Sequence, residues 1–392
     1  AHYAAARKIG NEGIVLLKNA DRCLPIRPEK GERILVVGEN AVKMMTVGGG
    51  SSSLKVQHEI SPLQGIREAF GQTVKVDYVR GYVGDISNTF DGVASGQDLR
   101  DNRSAGELLQ EAVQEAAKSD YVIFVGGLNK SPHQDCEDSD REGLGLPYGQ
   151  DRLIEALADV SKHLTVVNIS GNAVAMPWID KVPAVIQAWY LGSEAGHSIA
   201  DVISGAANPS GKLPFTFPAA LEDSPAHAVG EYPGTQDGNI WNMEYKEGIL
   251  VGYRWFDTKD IKPLFAFGHG LSYTEFLYGK AEAASRKMTG DGTLTVSVDI
   301  RNNGDVAGKE VVQLYISDLK SSLPRPEKEL KGFRKVELAP GESRTVTFTI
   351  DKEDLSFFDP EKHAWVAEPG KFKALIGSAS DDIRTEVTFE LE

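Results

Sequence analysis

Short, unbroken apolar segments alternate with helical patterns in residues 1–218, and this alternation restricts the fold more than any other feature of the chain. Strands without polar residues on either face are typical of a mainly parallel sheet that is covered on both sides. We predict strands at 33–38, 74–79, 121–126, 164–169 and 184–189. Helical spacing of apolar residues predicts helices at 105–119 and 149–162. Residues 1–218 are therefore expected to form a layered α/β sandwich domain.

The apolar period changes to two after residue 276. Segments such as "LTVSVDIRNN" and "RTVTFTI" alternate apolar and polar residues, and turn signals such as "NNGD" and "APGE" separate them. This pattern predicts an all-β sandwich of the immunoglobulin or fibronectin type III kind over residues 276–392. No charged or His cluster marks it as a reaction site, so we expect a stabilising or packing module. Residues 219–275, rich in Pro, Gly and aromatics, are predicted to be a linker packed on neighbouring surfaces.

Composition excludes several classes of function. The 392 residues carry a formal net charge of −15 and show no basic stripe, which argues against nucleic acid as a partner. No apolar run approaches the roughly 20 residues that span a bilayer, so no membrane span is expected. Cys23 and Cys136 are too few for a disulfide framework or a zinc site, and we expect no metal or cofactor. The chain opens in a helical pattern without Met, so residue 1 is expected to lie inside a longer or processed product.

A Gly/Ser run, "GGGSSS" at 48–53, follows the loop after the first predicted strand. It lacks the Lys and the spacing of a phosphate-binding P-loop. Two interpretations stay open. In the functional one, the glycines, Gly49 among them, let the backbone approach a neighbour while Ser51 and Ser52 bind a polar ligand such as a sugar, and in the other the run has no role in binding.

An acidic loop, defined here as residues 133–147, follows the predicted strand at 121–126. Sheets of α/β proteins hold their sites at the carboxyl ends of their strands. The candidate carboxylates are Asp135, Glu137, Asp138, Asp140, Glu142 and, at the start of the next helix, Asp151. Asp140 and Arg141 are expected to tie the loop to its frame, and Asp151 suits the helix dipole. Glu137 has no such structural role, so it is the candidate general acid or base, with His133 as a possible contact.

A set of motifs runs along essentially the whole chain in a characteristic order. They are "NEGIVLLKN", "GGGSSS", "EDSDR" followed by "LGLPYGQDRLI", "NPSGKLPFTFP", "GYRWFD", "FAFGHGLSYTEF" and the closing "GKEVVQLYIS" and "KELKGFRKVELAPGES". In this order they resemble the C-terminal half of family 3 glycoside hydrolases, the β-glucosidase and β-xylosidase group.

The resemblance implies an α/β sandwich domain and a fibronectin III-like domain that complete an active site on an N-terminal (β/α)8 barrel. Glu137, three positions before Asp140 and Arg141, is implied to be the general acid/base of a retaining, exo-acting β-glycosidase, with the nucleophilic Asp on the barrel. No segment here resembles that barrel, so it is expected as a second chain or a missing portion. This chain alone is expected to be inactive. The implied substrates are β-linked oligosaccharides or aryl and alkyl β-glycosides, and the implied location is periplasmic or secreted.

One residue departs from the family pattern. Asp138 stands where the family often has Gly directly after the acid/base Glu. Either this second carboxylate raises the pKa of Glu137 by like-charge repulsion, or the match of Glu137 to the family position is displaced.

A non-catalytic carbohydrate-binding or scaffold protein that kept the fold is the alternative function. An unrelated α/β enzyme working alone would need a nucleophile and a base within this chain, and none can be assembled. His197 is expected to be a structural histidine.

Overall fold

The computed structural model describes residues 1–46, 49–84, 89–90, 93–94, 97–137, 140–230 and 232–392. The chain divides into two compact units, Ala1–Gly211 and Lys212–Glu392, called here the α/β unit and the β-sandwich unit. The three-part division with limits at 218 and 275 stays a prediction. Among the described residues, no helix is both long and apolar enough to cross a membrane.

A six-stranded sheet forms the centre of the α/β unit. Its strands are β1 (Val15–Asn19), β2 (Arg33–Val37), β3 (Lys75–Val79), β6 (Tyr121–Gly127), β7 (Leu164–Ile169) and β8 (Ala184–Gln187), and the short pair β4 (Thr89–Phe90) and β5 (Val93–Ala94) lies outside it. The order across the sheet is β1-β8-β7-β6-β2-β3. All neighbours are parallel except β1, which runs antiparallel to β8 at the edge.

Five helices accompany this sheet in the described residues: α1 (His2–Gly13), α2 (Pro62–Phe70), α3 (Ala105–Ala116), α4 (Gln150–Val160) and α5 (Ala195–Ser204). Helix α3 begins with a capping box, in which Ser104 and Glu107 satisfy each other's backbone N–H groups. Helices α2 and α5 approach closely at glycines, since a Cβ on Gly65 would lie 2.1 Å from the carbonyl oxygen of Gly196. The layered α/β fold with a mainly parallel sheet is confirmed, and the structure adds edge strand β1, which the helical opening of the sequence concealed.

Two packed sheets, antiparallel except for the parallel pair of β13 and β21, form most of the β-sandwich unit, and they confirm the predicted β-sandwich. Their strands are β11 (Phe276–Tyr278), β12 (Glu282–Ala283), β13 (Lys287–Met288), β14 (Leu294–Asn302), β15 (Gly308–Asp318), β16 (Glu329–Leu338), β17 (Ser343–Ile350), β20 (Gly370–Ala379) and β21 (Asp382–Leu391). One sheet contains β11, β14, β12 and β17, and the other has the order β13-β21-β20-β15-β16. The short α8 (Lys352–Leu355), β18 (Phe357–Asp359) and β19 (Ala364–Val366) lie between β17 and β20. Strand β14 alternates buried and exposed residues throughout, as a half-buried strand must.

The segment before the sandwich contains α6 (Pro225–Ala228), the hairpin β9 (Thr235–Asp237) and β10 (Ile240–Asn242), and α7 (Tyr253–Thr258). Trp255 and Phe256 of α7 are buried. Tyr253 stacks on Phe267 at 4.8 Å between ring centroids. In the hairpin region, by contrast, Trp241 is 57% exposed. The predicted packing of the whole segment on neighbouring surfaces stays a prediction.

Candidate functional site

The carboxyl ends of four parallel strands, β2, β6, β7 and β8, meet at one edge of the sheet, called here the carboxyl edge. The acidic loop extends from β6 at this edge. The turn that leads into it is closed by local hydrogen bonds: Asn129 N–H donates to Oε1 of Gln134 at 2.9 Å, and Asp135 N–H donates to the carbonyl of Asn129 at 3.0 Å. Both Asn129 and Gln134 are buried. The start of the loop is therefore fixed to its strand before any candidate carboxylate is reached.

Asp135 connects the acidic loop to the ends of two other strands. Its carboxylate accepts the Gly171 N–H at 2.6 Å, the Asn172 Nδ2–H at 2.6 Å and the Tyr190 hydroxyl at 2.9 Å. Gly171 and Asn172 follow β7, and Tyr190 follows β8. Burial, and then the nearby charge of Asp135, raises the pKa of Tyr190 well above its usual value, so the hydroxyl remains a donor.

Arg141 attaches the far side of the loop to the same place. Its Nη1 donates to the carbonyl of Ala173 at 2.7 Å, and its Nη2 is buried without a hydrogen-bond partner in the described part of the chain. Burial lowers the pKa of the Arg141 guanidinium, while the neighbouring Asp135 opposes that shift. The electrostatic partner of Arg141 is thus Asp135. Asp140, the residue next to Arg141 in the sequence, is exposed.

Glu137 lies between these two attachments and is exposed. Its Oε2 accepts the Ser51 N–H at 2.8 Å. Gly50 permits this approach, since it has φ +84° and a Cβ there would lie 2.5 Å from Glu137 Oε2. Because the Ser51 backbone N–H, and then its hydroxyl, bind the charged form, the pKa of Glu137 is lowered.

This lowered pKa is opposite in direction to the rise that an adjacent carboxylate was expected to cause. Asp138, the residue behind that expectation, lies outside the described residues. Among the described residues, the hydrogen bonds from Ser51 are what lowers the pKa of Glu137.

The other predicted site residues lie around Glu137 with separate contacts. Gly49 is in the left-handed region, with φ +91°, and accepts the Ser52 hydroxyl through its carbonyl at 3.2 Å. His133 is exposed, and its Nδ1 lies 3.2 Å from the carbonyl oxygen of Asp140. The structure thus brings Glu137 to Gly50 and Ser51, while Ser52 binds within its own turn and His133 faces the loop backbone.

Two residues near the site were missed by sequence reasoning. Tyr190 is the first, and its hydroxyl donates to Asp135. Lys130 lies over the Tyr190 ring, with Nζ 5.8 Å from the ring centroid, and burial lowers the pKa of this lysine. Neither belongs to a motif with a fixed local spacing, so only the strand order reveals them.

Asp151 anchors the end of the loop to the core. Its Oδ1 accepts the Trp178 indole N–H at 2.8 Å, and burial raises the pKa of its carboxyl. Trp178 is fully buried. The predicted role at the helix start is therefore accompanied by a tertiary contact.

His197 on α5 is held by two carboxylates. Its Nδ1 lies 2.5 Å from Glu194 and its Nε2 lies 2.7 Å from Glu68. Both ring nitrogens have partners, as a structural histidine requires.

Chemically, this edge presents the exposed carboxylate of Glu137 between two anchored residues, Asp135 and Arg141. A carboxylate of this kind can give or take a proton at a group brought against it, or act as a nucleophile. The described contacts around Glu137 contain no second carboxylate opposite it.

Two family models match the chain. Residues 14–273 match the glycosyl hydrolase family 3 C-terminal domain, and residues 310–380 match a fibronectin type III-like domain.

Individual relatives agree with these matches. The β-glucosidase BoGH3A of Bacteroides ovatus is 52% identical to this chain over 396 residues, which are 99% of this chain and 52% of that protein. A periplasmic β-glucosidase of Salmonella typhimurium is 36% identical and is matched over 50% of its length. The crystal structure of a β-glucosidase from Kluyveromyces marxianus has a TM-score of 0.88 and 29% identity, covering 100% of this chain and 61% of that one. This chain spans about half the length of the curated relatives it matches.

Proposed function

Because this chain belongs to glycosyl hydrolase family 3, we propose that it is the C-terminal part of a retaining, exo-acting β-glycosidase of the β-glucosidase kind. Glu137 acts as its general acid/base. The observation that carries the proposal is the exposed Glu137 carboxylate at the carboxyl edge. It accepts the Ser51 N–H and lies between Asp135 and Arg141, which anchor the loop. The substrates are terminal β-linked sugars in oligosaccharides or in aryl and alkyl β-glycosides. The whole protein acts in the periplasm or outside the cell. This location is supported by the relative from Salmonella typhimurium, which is named a periplasmic β-glucosidase.

The active site is completed by a (β/α)8 barrel that supplies the nucleophilic carboxylate. Glycoside hydrolysis with retention needs two carboxyl groups about 5–5.5 Å apart, one on each side of the scissile bond. The barrel is a second chain or a further part of the same polypeptide. The proposal is supported by the share of each relative that this chain covers, since about half of their length is left to hold the second carboxylate.

Glu137 has two tasks in this mechanism. It first protonates the leaving oxygen while the barrel carboxylate attacks the anomeric carbon, and it then removes a proton from the water that releases the sugar. The first task needs the protonated form, yet in this chain hydrogen bonds from Ser51 lower the pKa of Glu137. Covering Glu137 with the barrel removes it from water and brings a second carboxylate close, and both changes raise its pKa.

The test uses the complete two-part enzyme and the variant Glu137→Gln. We expect kcat on alkyl β-glucosides to fall about 10²–10⁴-fold, the usual contribution of general acid–base catalysis. Aryl glucosides with good leaving groups should lose less in the first step, because their leaving oxygen needs little protonation. Azide should restore turnover and yield the β-glycosyl azide, since it attacks the glycosyl-enzyme without a general base.

Glu142→Gln is the matched control, because Glu142 is an exposed carboxylate of the same loop. It should leave kcat unchanged. Full activity of Glu137→Gln would refute the assignment. Hydrolysis by this chain without the barrel would refute the two-part site. Sugar binding without turnover by the complete protein would favour the non-catalytic alternative.

A further inference from the structure

The structure points to Asp135 as a positioning residue: we propose that Asp135 and Arg141 clamp the acidic loop to residues 171–173 and so fix where Glu137 stands. This inference rests on the proposed role of Glu137. It names a residue that acts through Glu137 and does not itself touch the substrate.

The clamp has one attachment on each side of Glu137. Asp135, two positions before it, binds the Gly171 N–H and the Asn172 side chain, both at 2.6 Å. Arg141, four positions after it, binds the carbonyl of Ala173 at 2.7 Å. Three consecutive residues after β7 therefore hold the loop on both sides of the acid/base.

Chain geometry makes this attachment effective. Two residues span at most about 7 Å, so the Cα of Glu137 cannot move far from that of Asp135. The Glu137 side chain is exposed, and the hydrogen bond given for it within the described residues comes from the Ser51 turn, so the loop backbone has to fix the rest of its position. The position of Glu137 thus depends on Asp135 on one side and on the Gly50–Ser51 turn on the other.

The charges within the clamp support each other. Arg141 is half-buried and Asp135 carries the opposing charge nearby. Asp135 also receives the Tyr190 hydroxyl at 2.9 Å, so its carboxylate has three donors from two strand ends. Charge-assisted hydrogen bonds of this kind are about twice as strong as neutral ones, which suits a contact that must hold a loop in one place. An anchor that only stabilised the loop could lie anywhere along it, whereas Asp135 lies two residues from the acid/base. A purely structural anchor and a positioning residue also differ in what a substitution changes.

The experiment compares Asp135→Asn and Tyr190→Phe in the complete enzyme with Asp159→Asn as the matched control. Asp159 lies on α4 with a side chain 65% exposed, in a surface ion pair with Lys181. Asn keeps the shape of Asp135 but turns one acceptor into a donor that faces other donors. A displacement of about 1 Å can cost about 10²-fold in rate.

We expect Asp135→Asn to lower kcat on alkyl β-glucosides about 10–100-fold per active site, with KM changed less than threefold and with azide rescue of the second step. The loss should shrink on aryl glucosides with good leaving groups, which is the signature of a misplaced acid. Tyr190→Phe should show the same pattern at a few-fold, and Asp159→Asn should match the wild type.

A purely structural role gives a different pattern. The melting temperature would fall, while kcat per titrated active site and its dependence on the leaving group would stay as in the wild type, and this would overturn the clamp proposal. If Asp135→Asn does not fold, the same criterion is applied to Tyr190→Phe, whose unchanged leaving-group dependence would equally overturn it. If Glu137→Gln itself is fully active, the proposed function fails instead, so the two failures are distinguished.

Discussion

The buried side chains at the carboxyl edge of the α/β sheet and those in the interior of the β-sandwich are stabilised by different interactions. At the edge, Asn168 Nδ2 donates to Gln187 Oε1 at 2.6 Å, and Gln187 Nε2 donates to the Ser170 carbonyl at 2.8 Å. Gln150 pairs with the backbone of Gly127 through both its amide atoms at 2.8 Å. The sandwich core contains apolar side chains such as Phe348, which is 2% exposed.

The difference teaches where each unit needs specificity. Apolar packing is non-directional and suits a scaffold, because many side chains of similar volume fill the same space. Hydrogen bonds between buried polar groups have a required geometry, so they fix strand ends and the loops that leave them. The buried polar side chains of Asn168 and Gln187 bind Ser170, which directly precedes residues 171–173 of the clamp. The position of the acidic loop matters most there.

The largest expected effect tests the apolar side of this comparison. Phe348→Ala should lower the free energy of unfolding by about 3–5 kcal/mol, because it removes buried apolar area and leaves a cavity. Urea denaturation of the whole chain measures it. Phe333→Ala is the matched control on the same unit, since Phe333 is 60% exposed, and should change stability by less than about 0.5 kcal/mol. Equal effects of the two variants would mean that the sandwich core does not dominate the stability of its unit.

The next effect tests the polar side. Gln187→Leu should cost about 1–3 kcal/mol, because it removes one of the two acceptors of the Asn168 amide and leaves the buried Ser170 carbonyl without the Gln187 donor. Gln110→Leu, on the exposed face of α3, should be nearly neutral in the same urea titration. A neutral or stabilising Gln187→Leu would show that the edge is held by packing as the sandwich is, and the comparison would fail.

A smaller effect depends on pH and concerns the helical layer of the α/β unit. Burial lowers the pKa of His197, and the charge of Arg7 also lowers it. The carboxylates of Glu194 and Glu68 raise it by more, so the pKa of His197 lies above its usual value. Since the folded-state pKa lies above the unfolded value, the stabilisation is complete below about pH 6.5 and is lost as pH rises through the folded-state pKa. Its size should be about 1 kcal/mol or less, because the site is partly exposed. Unfolding free energies of wild type and His197→Gln between pH 5.5 and 8.5 should converge as pH rises, and parallel curves would contradict this.

The smallest effect is expected outside both regions. Trp241 in the hairpin is 57% exposed, so Trp241→Ser should change the free energy of unfolding of this chain by less than about 0.5 kcal/mol. The fluorescence of the Trp241 indole in the wild-type chain should also be quenched readily by acrylamide. Trp178→Phe is the comparison, since it removes a fully buried indole and its hydrogen bond to Asp151, and it should cost at least 1 kcal/mol by the same measurement. A large loss for Trp241→Ser would show that the hairpin packs on the chain more than its exposure indicates.

The candidate site was only partly visible in the sequence. Glu137 could be singled out because its motif fixes its spacing to Asp140 and Arg141. The partners of Arg141 could not be read in the same way, because the structure places Asp135 and the Ala173 carbonyl around the guanidinium, and neither is adjacent to Arg141 in the sequence. Adjacent residues in a loop often point apart, so nearness in sequence is weak evidence of contact.

By itself, the sequence determined the fold class of both units, since the period of apolar residues depends only on the local geometry of strand and helix. It also indicated the family, which the comparisons confirm, and it singled out Glu137, whose role is a proposal. The tertiary structure decided which groups surround that carboxylate. Ser51 lies 86 positions from Glu137, and Tyr190 lies 55 positions from Asp135. These contacts exist because the order β8-β7-β6-β2 brings four strand ends to one edge, and strand order results from the packing of the whole sheet and leaves no periodic signal in any one segment.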